Sequence, residues 1–392
     1  MILLFFDLLC LVDFIESLIS FFWGLSMILV LNVGSSTIKF RVFRGEVEVD
    51  GGLIDRIGDK PAFVRAGVEK PIDISTHEEG IEFIKEYLVE RNLFIEAIGH
   101  RVVHGLDISE SKVIDEKVLE KIRIAAPLAP LHNPPQLAVI KACESFMVPQ
   151  IAVFDTSFHQ TLPEAAYTYA LPKEIMEKYS IRRYGFHGIS HMYVSLNEAG
   201  RVVSCHLGNG VSLAAIRDGK CVDTSMGFTP LEGLVMGSRS GDLDPGILLF
   251  LMSKGFTYQE LDDMLNRRSG LLGLSGESND IRELIKSNKK EAKLAIDVFV
   301  YRLIKYIGAY VSVLGGLDTL IFTGGIGENE WRIRKRVVEA LSYLGAELNE
   351  EDNILNREII SSRGSRVLVK VKRTNEELMI AREVYRLIGG YP

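Results

Sequence analysis

Two segments of the chain carry the same alternation of apolar and polar positions. The first, VLNVGSSTIKFRVFRGEV, starts at Val30, and the second, SCHLGNGVSLAAIRDGKC, starts at Ser204. Each predicts a strand, a tight turn containing glycine, a second strand and a charged turn that also contains glycine. The shared pattern indicates a duplicated domain with a cleft between the two copies, although two hairpins can also resemble each other by chance.

Outside the two hairpins, strand patterns alternate with helical patterns, which predicts an α/β fold. An amphipathic helix is predicted over 77–91 and a long helix with an apolar face over 291–314. The apolar strand DTLIF (318–322) then leads into a glycine loop, TGGIGEN. The last helix is predicted to open with a T-x-x-E capping box at Thr374.

The first 26 residues, MILLFFDLLCLVDFIESLISFFWGLS, do not fit this alternation. They are apolar enough for a membrane span or a signal peptide, but they contain no Lys or Arg to flank either one. Asp7, Asp13 and Glu16 would each be costly inside a bilayer. Because Met27 opens a clean strand, we expect the protein to start there, the alternative being a membrane-associated helix; membrane association is not expected.

Length and composition narrow the class of protein. A chain of 392 residues exceeds what one hydrophobic core usually serves, so two domains are expected. The net charge of −7 argues against a general nucleic-acid binder, and no nucleic-acid partner is expected. The cysteines are scattered without C-x-x-C spacing, which is typical of reduced thiols in a cytoplasmic protein. They are Cys10, Cys143, Cys205 and Cys221.

The glycine turns of the two hairpins are candidate phosphate sites. Gly34-Ser35-Ser36 and Gly208-Asn209-Gly210 can each aim several backbone N–H groups into one concavity, although either alone is more typical of a plain hairpin. No Walker motif occurs. Together with the glycine-rich stretch 324–329, the turns resemble the actin-like nucleotide-binding superfamily, in which two hairpins hold phosphates and a later strand–loop–helix holds adenosine.

Longer motifs make the resemblance specific: from Met27 onward, the chain is similar, in collinear order, to the acetate kinase family. The motifs are APLHNPP (129–135), FDTSFHQTLP (154–163), YGFHGISH (184–191), HLGNGVSLAAI (206–216), DTSMGFTPLEGLVMGSRSGDLDP (223–245), FTGGIGEN (322–329) and TNEELMIARE (374–383). The resemblance implies two duplicated actin-like (ribonuclease H-like) domains with a nucleotide cleft between them. One would comprise 27–157 joined by the C-terminal helix 374–392, and the other, which binds the nucleotide, 158–373.

The resemblance also implies an activity: reversible, Mg²⁺-dependent, in-line transfer of the ATP γ-phosphoryl group to acetate, giving acetyl phosphate and ADP, in a cytoplasmic homodimer. We take the helix 291–314 as a candidate for part of the dimer contact. Acetate is ionised at pH 7, so it needs no general base; it needs in-line positioning and relief of its repulsion from phosphate. Arginine suits this need because its planar fork binds carboxylate and phosphate through paired hydrogen bonds.

Family positions assign roles to individual residues of this chain. The catalytic residues are Arg101 and Arg239 on the carboxylate and the phosphoryl group, His187 as a donor to the phosphoryl oxygens, and Asp155 as the group that orients an arginine or the metal. The acetate site comprises Arg101, Val103, Leu131, Phe186 and Pro230. The ATP site comprises Lys39, His206, Leu207, Gly208, Asn209, Gly210, Asp280, Ile281, Arg282, Gly325, Ile326, Gly327 and Asn329. Asn32 and Glu376 match positions linked to Mg²⁺ (or Mn²⁺).

Several of these assignments leave alternatives open. Glu376 could instead be a favourable charge in the first turn of a helix. The i, i+4 pairs His100/His104 and His187/His191 raise the question of zinc, which the glycine after His187 argues against. Packing or hydrogen bonding is expected for His100, His104 and His191.

The function also has alternatives. Propionate or butyrate kinase is the nearest, because one methylene changes selectivity by only about 1–3 kcal/mol. A sugar kinase would use Asp155 as a base, and a non-metabolic actin-like ATPase, such as a filament protein or a chaperone, is more remote. The segment MYVSLNEAGR (192–201) is shorter than its family counterpart, and we expect this to affect the placement of His187 or a surface contact.

Overall fold

The computed structural model describes residues 26–130 and 132–389, and these form two compact units. The first unit runs to Ser157 and resumes at Asn375, and the second spans Phe158–Thr374. In chain order, the first unit contains β1 (Met27–Val33), β2 (Ile38–Arg44), β3 (Val47–Asp55), β4 (Ala62–Arg65), β5 (Val68–Pro71), α1 (His77–Glu90), β6 (Ala97–Val102), β7 (Lys112–Val113), α2 (Glu116–Ala125), α3 (Asn133–Ala142) and β8 (Gln150–Phe154).

The second unit follows without interruption. It contains α4 (Glu164–Tyr167), α5 (Lys173–Tyr179), α6 (Gly188–Ser195), β9 (Arg201–Leu207), β10 (Val211–Arg217), β11 (Lys220–Thr224), α7 (Pro245–Ser253), α8 (Tyr258–Arg267), α9 (Gly270–Ser275), α10 (Ile281–Lys286), α11 (Lys290–Leu314), β12 (Thr319–Thr323), α12 (Gly324–Asn329), α13 (Trp331–Ala340), α14 (Glu350–Ile354) and β13 (Leu368–Val371). The chain then returns to the first unit as α15 (Glu376–Ile388). Single 3₁₀ turns lie at Ala126–Leu128, Cys143–Phe146, Ser157–Thr161 and Ser342–Leu344.

The sheet of the first unit has the strand order β5-β4-β3-β2-β1-β6-β8-β7. β1, β2 and β3 pair antiparallel, whereas β6 and β8 run parallel to β1. On one face, apolar residues of β1 pack in a core with α1 and α3. On the other face, α15 lies so close to β6 that a Cβ on Gly99 would be 2.6 Å from Ile380 Cγ2. Helices therefore cover the central strands on both faces, as in other sheets with parallel strands.

The sheet of the second unit has the order β11-β10-β9-β12-β13. Here too three strands, β9, β10 and β11, pair antiparallel in succession. They are followed by β12 and β13, which run parallel to β9. The order β3-β2-β1-β6-β8 of the first unit has the same pairing directions. The two hairpins that share a sequence pattern therefore occupy equivalent places in the two sheets.

Local differences from the sequence predictions occur at two helix starts. The TGGIGEN stretch forms the short helix α12 rather than a loop; it starts at Gly324, whose φ of +76° favours glycine. The capping box at Thr374 is wrong by one residue. Asn375 caps α15, and its side chain accepts a hydrogen bond from the Leu378 backbone N–H (2.9 Å). The predicted helices 77–91 and 291–314 are present as α1 and α11.

Within residues 26–130 and 132–389, every helix is too short or too polar to cross a lipid bilayer. The predicted N-terminal extension, apart from Ser26, lies outside these residues, and so does Leu131.

Candidate active site

Four of the predicted site residues meet at one edge of the first sheet. β1, β6 and β8 are parallel, so their carboxyl ends share an edge, where α/β proteins commonly place functional groups. Arg101, near the end of β6, donates from Nη2 to Asp155 Oδ2 (2.7 Å) and from Nη1 to Asn32 Oδ1 (3.2 Å). Its Nε lies 3.6 Å from Glu376 Oε2. The guanidinium of Arg101 therefore links the other three residues.

The charged groups in this cluster lie beside groups of opposite charge. Burial disfavours the charged form of Arg101, but the carboxylates of Asp155 and Glu376 outweigh burial and raise the pKa of its guanidinium. Asp155 is only 1% exposed, so its carboxylate depends on this arginine as a counter-ion. Lys39, predicted for ATP, lies 2.6 Å from Glu377 Oε1 in an ion pair. Burial acts to raise the pKa of Glu377, yet the pKa is lowered because Lys39 stabilises the carboxylate.

The predicted metal ligands present oxygen atoms only. Asn32 offers an amide oxygen and Glu376 a carboxylate, both beside Arg101. Among residues 26–130 and 132–389, no group of three or more His, Cys, Asp and Glu side chains is placed to hold a metal ion. This sparse oxygen set fits Mg²⁺, which keeps several waters and usually takes only one or two protein carboxylates along with nucleotide phosphates.

In the second unit, two predicted catalytic side chains converge on the glycine turn between β9 and β10. A Cβ on Gly210 would lie 2.7 Å from Arg239 Nη2 and 3.2 Å from His187 Nε2. The turn itself is closed by the Gly208 N–H, which donates to the Gly210 carbonyl (3.0 Å). The absent side chain of Gly210 is what lets Arg239 and His187 approach the turn so closely.

Arg239 is a mostly buried cation that makes no ion pair with any carboxylate in the described part of the chain. Its Nη1 donates to the Pro230 carbonyl (2.7 Å), and burial lowers the pKa of its guanidinium. Desolvating a charge without a counter-ion is costly, so this arrangement suits an anionic ligand.

Hydrogen bonds within the segment that carries Pro230 and Arg239, and from residues outside it, hold this segment in place. Asp242 accepts from the Gly233 N–H (2.8 Å) and from the Tyr306 hydroxyl (2.5 Å) of α11, while Arg183 Nη2 donates to Glu232 Oε1 (2.5 Å). These residues were not singled out in the sequence. Glu232 and Asp242 lie inside a family motif, but Tyr306 is 64 positions from its partner.

His187 sits at the start of α6 with a φ of +55°. Its Nδ1 lies 2.9 Å from Ser212 Oγ, and its ring stacks on the His206 ring with centroids 4.4 Å apart. The preceding carbonyl, that of Phe186, accepts a hydrogen bond from His159 Nε2 (3.0 Å). Buried neighbours therefore hold the imidazole of His187 from one side, while its Nε2 faces the glycine turn.

The remaining histidines of the i, i+4 pairs are buried. Burial lowers the pKa of His100 and His104 to about 4 each, and lowers the pKa of His191 well below its usual value. His100 contacts Gln150 Oε1 (2.8 Å), and His191 contacts two serine hydroxyls. Each of these three rings is neutral near pH 7 and takes part in packing and hydrogen bonding.

A cavity of about 490 Å³ opens beside the same glycine turn of the second unit. It is lined by Gly208, Asn209, Asn279, Asp280, Ile281, Arg282, Gly325, Ile326, Asn329 and Glu330. Eight of these were predicted for ATP; Asn279 and Glu330 were not, and Lys39, His206, Leu207, Gly210 and Gly327 are not in the lining. Gly324 lets α12 approach β9, since a Cβ there would lie 2.9 Å from the Leu207 backbone.

The side chain of Asp280 shapes one wall of this cavity. It caps α10 by accepting from the Arg282 N–H (2.8 Å) and pairs with the Arg282 guanidinium. The hydrogen bonds from Arg282 lower the pKa of Asp280. Gly327, behind the wall, offers its carbonyl to the buried Arg334 Nη1 (2.8 Å).

The predicted acetate-pocket residues divide between the units. Val103, in the first, is 4% exposed, and its N–H donates to Gln136 Oε1 (3.1 Å). Phe186, in the second, is 1% exposed, and Pro230 is half-buried. Their assembly into one acetate pocket remains part of the proposal below.

The short connection after α6 is anchored. Glu198 accepts from Lys370 Nζ (2.8 Å) and Lys372 Nζ (2.6 Å), and the Gly200 N–H donates to Asp218 Oδ1 (3.0 Å). An effect of the shortening on His187 stays a prediction.

We expect Gly210→Ala to lower the kcat of phosphoryl transfer by about 10²-fold, because the new methyl group must displace Arg239 and His187. Overpacking should also cost about 1–3 kcal/mol of unfolding free energy. Steady-state kinetics and urea denaturation measure the two effects. Gly364→Ala is the matched control, since the nearest atom to a Cβ there is a carboxylate oxygen of Glu347 at 3.3 Å, at the end of a flexible side chain. Equal kcat values for the two variants would contradict the close approach at Gly210.

A duplicated sheet topology, a cavity at a glycine turn and, among the described residues, an adjacent arginine without a carboxylate partner are typical of a phosphotransferase that binds a nucleotide. The chain belongs to the Acetokinase family, because the model of that family matches residues 27–382. The resemblance seen in the sequence motifs and the predicted fold class are both confirmed.

Relatives and solved structures agree with this membership. The acetate kinase of Thermoanaerobacter pseudethanolicus is 46% identical over 93% of this chain and 99% of its own length. The acetate kinase of Dictyoglomus thermophilum is 49% identical over 92% and 99%. A propionate kinase structure from Francisella tularensis has a TM-score of 0.87 at 42% identity, covering 91% of this chain and 98% of its own. Porphyromonas gingivalis acetate kinase has a TM-score of 0.87 at 39% identity, covering 93% and 100%.

Proposed function

We propose that this chain is an acetate kinase, which transfers the γ-phosphoryl group of ATP to acetate and forms acetyl phosphate and ADP in a reversible, direct in-line reaction. The observation that carries the proposal is the placement of Arg239 within the second unit. Gly208 and Asn209 line the cavity, and Gly210, in the same turn, lies so close to Arg239 and His187 that a side chain there would collide with both. A triphosphate that lies along this turn would bring its terminal group to the guanidinium of Arg239 and the imidazole of His187.

The chemistry needs little more than positioned charge. The acetate carboxylate is already ionised, so the barrier lies in bringing it to a second anion. Arg239 would neutralise the transferring group, and His187 would donate to its oxygens from Nε2. Arg101 would hold the acetate carboxylate, with Asp155 fixing the orientation of its guanidinium through the 2.7 Å hydrogen bond. Val103, Leu131, Phe186 and Pro230 would surround the methyl group.

Asn32 and Glu376 would hold the magnesium (or manganese) ion, which when bound screens the charge of the nucleotide phosphates. The two compact units would be the two predicted domains. A cytoplasmic location remains a prediction.

The proposal includes a homodimer. α7 has no buried residue, and it exposes Leu249 by 70%, Phe250 by 59% and Met252 by 56%. An exposed apolar helix of this kind is typical of a protein interface. On α11, the helix singled out in the sequence, Tyr301 is 68% exposed. Both helices are candidates for the contact.

Propionate kinase is the second candidate, because a solved structure of that name is 42% identical. One methylene group changes selectivity by about 10–200-fold at most.

The test is formation of acyl hydroxamate by the purified protein with ATP, Mg²⁺ and hydroxylamine, using acetate, propionate and butyrate in turn. We expect all three to react, with the highest kcat/KM for acetate. A higher kcat/KM for propionate would establish the second candidate. ADP formation that depends on a sugar, with no hydroxamate from any acid, would contradict a carboxylate kinase.

A further inference from the structure

Four side chains form a continuous file of hydrogen bonds from the glycine turn into the core of the second unit: His187, Ser212, His191 and Ser204. Ser212, on β10, places its Oγ 2.9 Å from His187 Nδ1 and 2.8 Å from His191 Nε2. The other nitrogen of His191, Nδ1, lies 3.0 Å from the Oγ of Ser204 on β9. The hydrogen bonds are thus continuous from Ser204 to the imidazole that faces the glycine turn.

The chemistry of Ser212 restricts this file. Its hydroxyl has one proton, and in the described part of the chain its Oγ contacts only the two imidazoles. Ser204, Ser212 and His191 are all fully buried, and burial keeps His191 neutral, with a single N–H. A buried hydroxyl that failed to donate would leave a polar hydrogen unsatisfied at a cost of about 1–3 kcal/mol. Ser212 must therefore donate to one imidazole and accept from the other.

Only two arrangements of a neutral His187 satisfy this rule. In one, Ser204 donates to His191 Nδ1, His191 Nε2–H donates to Ser212, and Ser212 donates to His187 Nδ1. His187 then carries its own proton on Nε2. In the other, every hydrogen bond is reversed, both imidazoles carry the proton on Nδ1, and His187 Nε2 becomes an acceptor.

We propose that Ser212 and His191 are positioning residues that couple the tautomers of the two histidines and thereby set whether His187 Nε2 donates or accepts. This inference rests on the proposed phosphoryl transfer for its catalytic meaning. An anion beside Nε2 selects the donor arrangement, and the file reorganises by moving protons within existing hydrogen bonds, without rotating a ring.

In many hydrolases an aspartate fixes the tautomer of the reactive histidine. In this file a neutral hydroxyl and a second imidazole would perform that task. In the reversed arrangement of hydrogen bonds, His187 Nδ1–H donates to Ser212. A protonated His187 can form the same bond, so the file is compatible with both protonation states of the ring.

The decisive test is ¹⁵N NMR of the histidine-labelled full-length protein, because the ¹⁵N shifts report which ring nitrogen carries the proton. His187→Gln assigns the His187 signals. In the wild-type protein we expect His187 and His191 to carry their protons on the same ring nitrogen. Adding a non-hydrolysable ATP analogue with Mg²⁺ and acetate should move both to the Nε2–H form together. Opposite tautomers in the wild-type spectrum would overturn the proposal.

Ser212→Ala removes the shared proton. We expect the His187 signals to become a mixture of tautomers that no longer follows His191. Ser225→Ala is the matched control, since Ser225 is equally buried and also hydrogen-bonds to β10, through the Leu213 N–H (2.8 Å), but contacts neither imidazole. His187 tautomers that are the same in Ser212→Ala as in the wild type would also overturn the proposal.

Kinetics separate this inference from the proposed function. Ser212→Ala should lower the kcat of hydroxamate formation by about 10–100-fold, while KM for acetate stays within about threefold. Ser212→Thr, which keeps the hydroxyl, should recover most of the turnover. If the wild-type protein forms no hydroxamate, the proposed function fails, but the NMR comparison still decides whether the tautomers are coupled. An active wild type with an equally active Ser212→Ala variant would refute the positioning role alone.

Discussion

Arg239→Ala is expected to lower the kcat of acetyl phosphate formation by on the order of 10³ or more while leaving the free energy of unfolding nearly unchanged. The loss of rate follows because the transition state would lose the cation that offsets repulsion between acetate and phosphate. Stability should survive because, among the described residues, Arg239 pairs with no carboxylate, and its side chain donates only to the Pro230 carbonyl. Removing the arginine therefore leaves no buried anion behind.

The controls for Arg239 distinguish charge from shape. Arg239→Lys keeps the charge but loses the planar fork, so its kcat should fall between those of the wild type and the alanine variant. Arg357→Ala breaks an exposed ion pair with Asp352 and should change neither kcat nor stability measurably. Steady-state kinetics with ATP and acetate, together with urea denaturation, cover all three variants. Near-normal turnover in Arg239→Ala would exclude the assigned role.

Arg101→Ala is expected to fail in a different way, by losing both activity and stability. Its guanidinium is the counter-ion of Asp155, whose side chain is only 1% exposed. Breaking a buried pair from one side typically costs about 3–5 kcal/mol, because the remaining charge has no compensation. The kcat/KM for acetate should fall by on the order of 10³ as well, since Arg101 is proposed to hold the carboxylate.

A second substitution tests the cause of the instability. Adding Asp155→Asn to Arg101→Ala removes the buried negative charge that has lost Arg101, so the double variant should regain part of the lost unfolding free energy without regaining activity. The denaturant midpoints of the single and double variants make this comparison. A single variant as stable as the wild type would show that Asp155 does not depend on Arg101.

The sequence predicted the parts of the fold that are encoded locally. The two hairpins were recognisable because apolar and polar residues follow the same pattern around a glycine turn in both segments. The glycines at the second turn of each segment, Gly45 and Gly219, have positive φ angles that favour glycine. The TGGIGEN stretch was predicted as a loop because it contains three glycines and an asparagine, which have low helix propensity and are common in turns. It forms a helix because Gly324 allows the chain to turn tightly against β9, which is a tertiary effect.

The candidate site shows the same division. Family motifs pointed to eight residues that line one cavity, since motif positions keep their neighbours in sequence and in space. They assigned no role to Tyr306 or to Ser212, although Ser212 lies inside a motif, because the contacts of both join residues distant along the chain. They also gave no sign that Lys39 pairs with Glu377, because an ion pair depends on side-chain distance and burial.

The placement of α15 has a consequence for how the protein is made. This helix covers one face of a sheet whose strands all lie before Ser157, and it fits against Gly99 there. During translation the second unit is therefore synthesised while the sheet of the first still lacks its cover and the two acidic residues Glu376 and Glu377. The first unit can complete its packing only after the second unit has been made, which departs from the usual N-terminal-first order. A nascent chain paused near Thr374 would present an open apolar surface to chaperones.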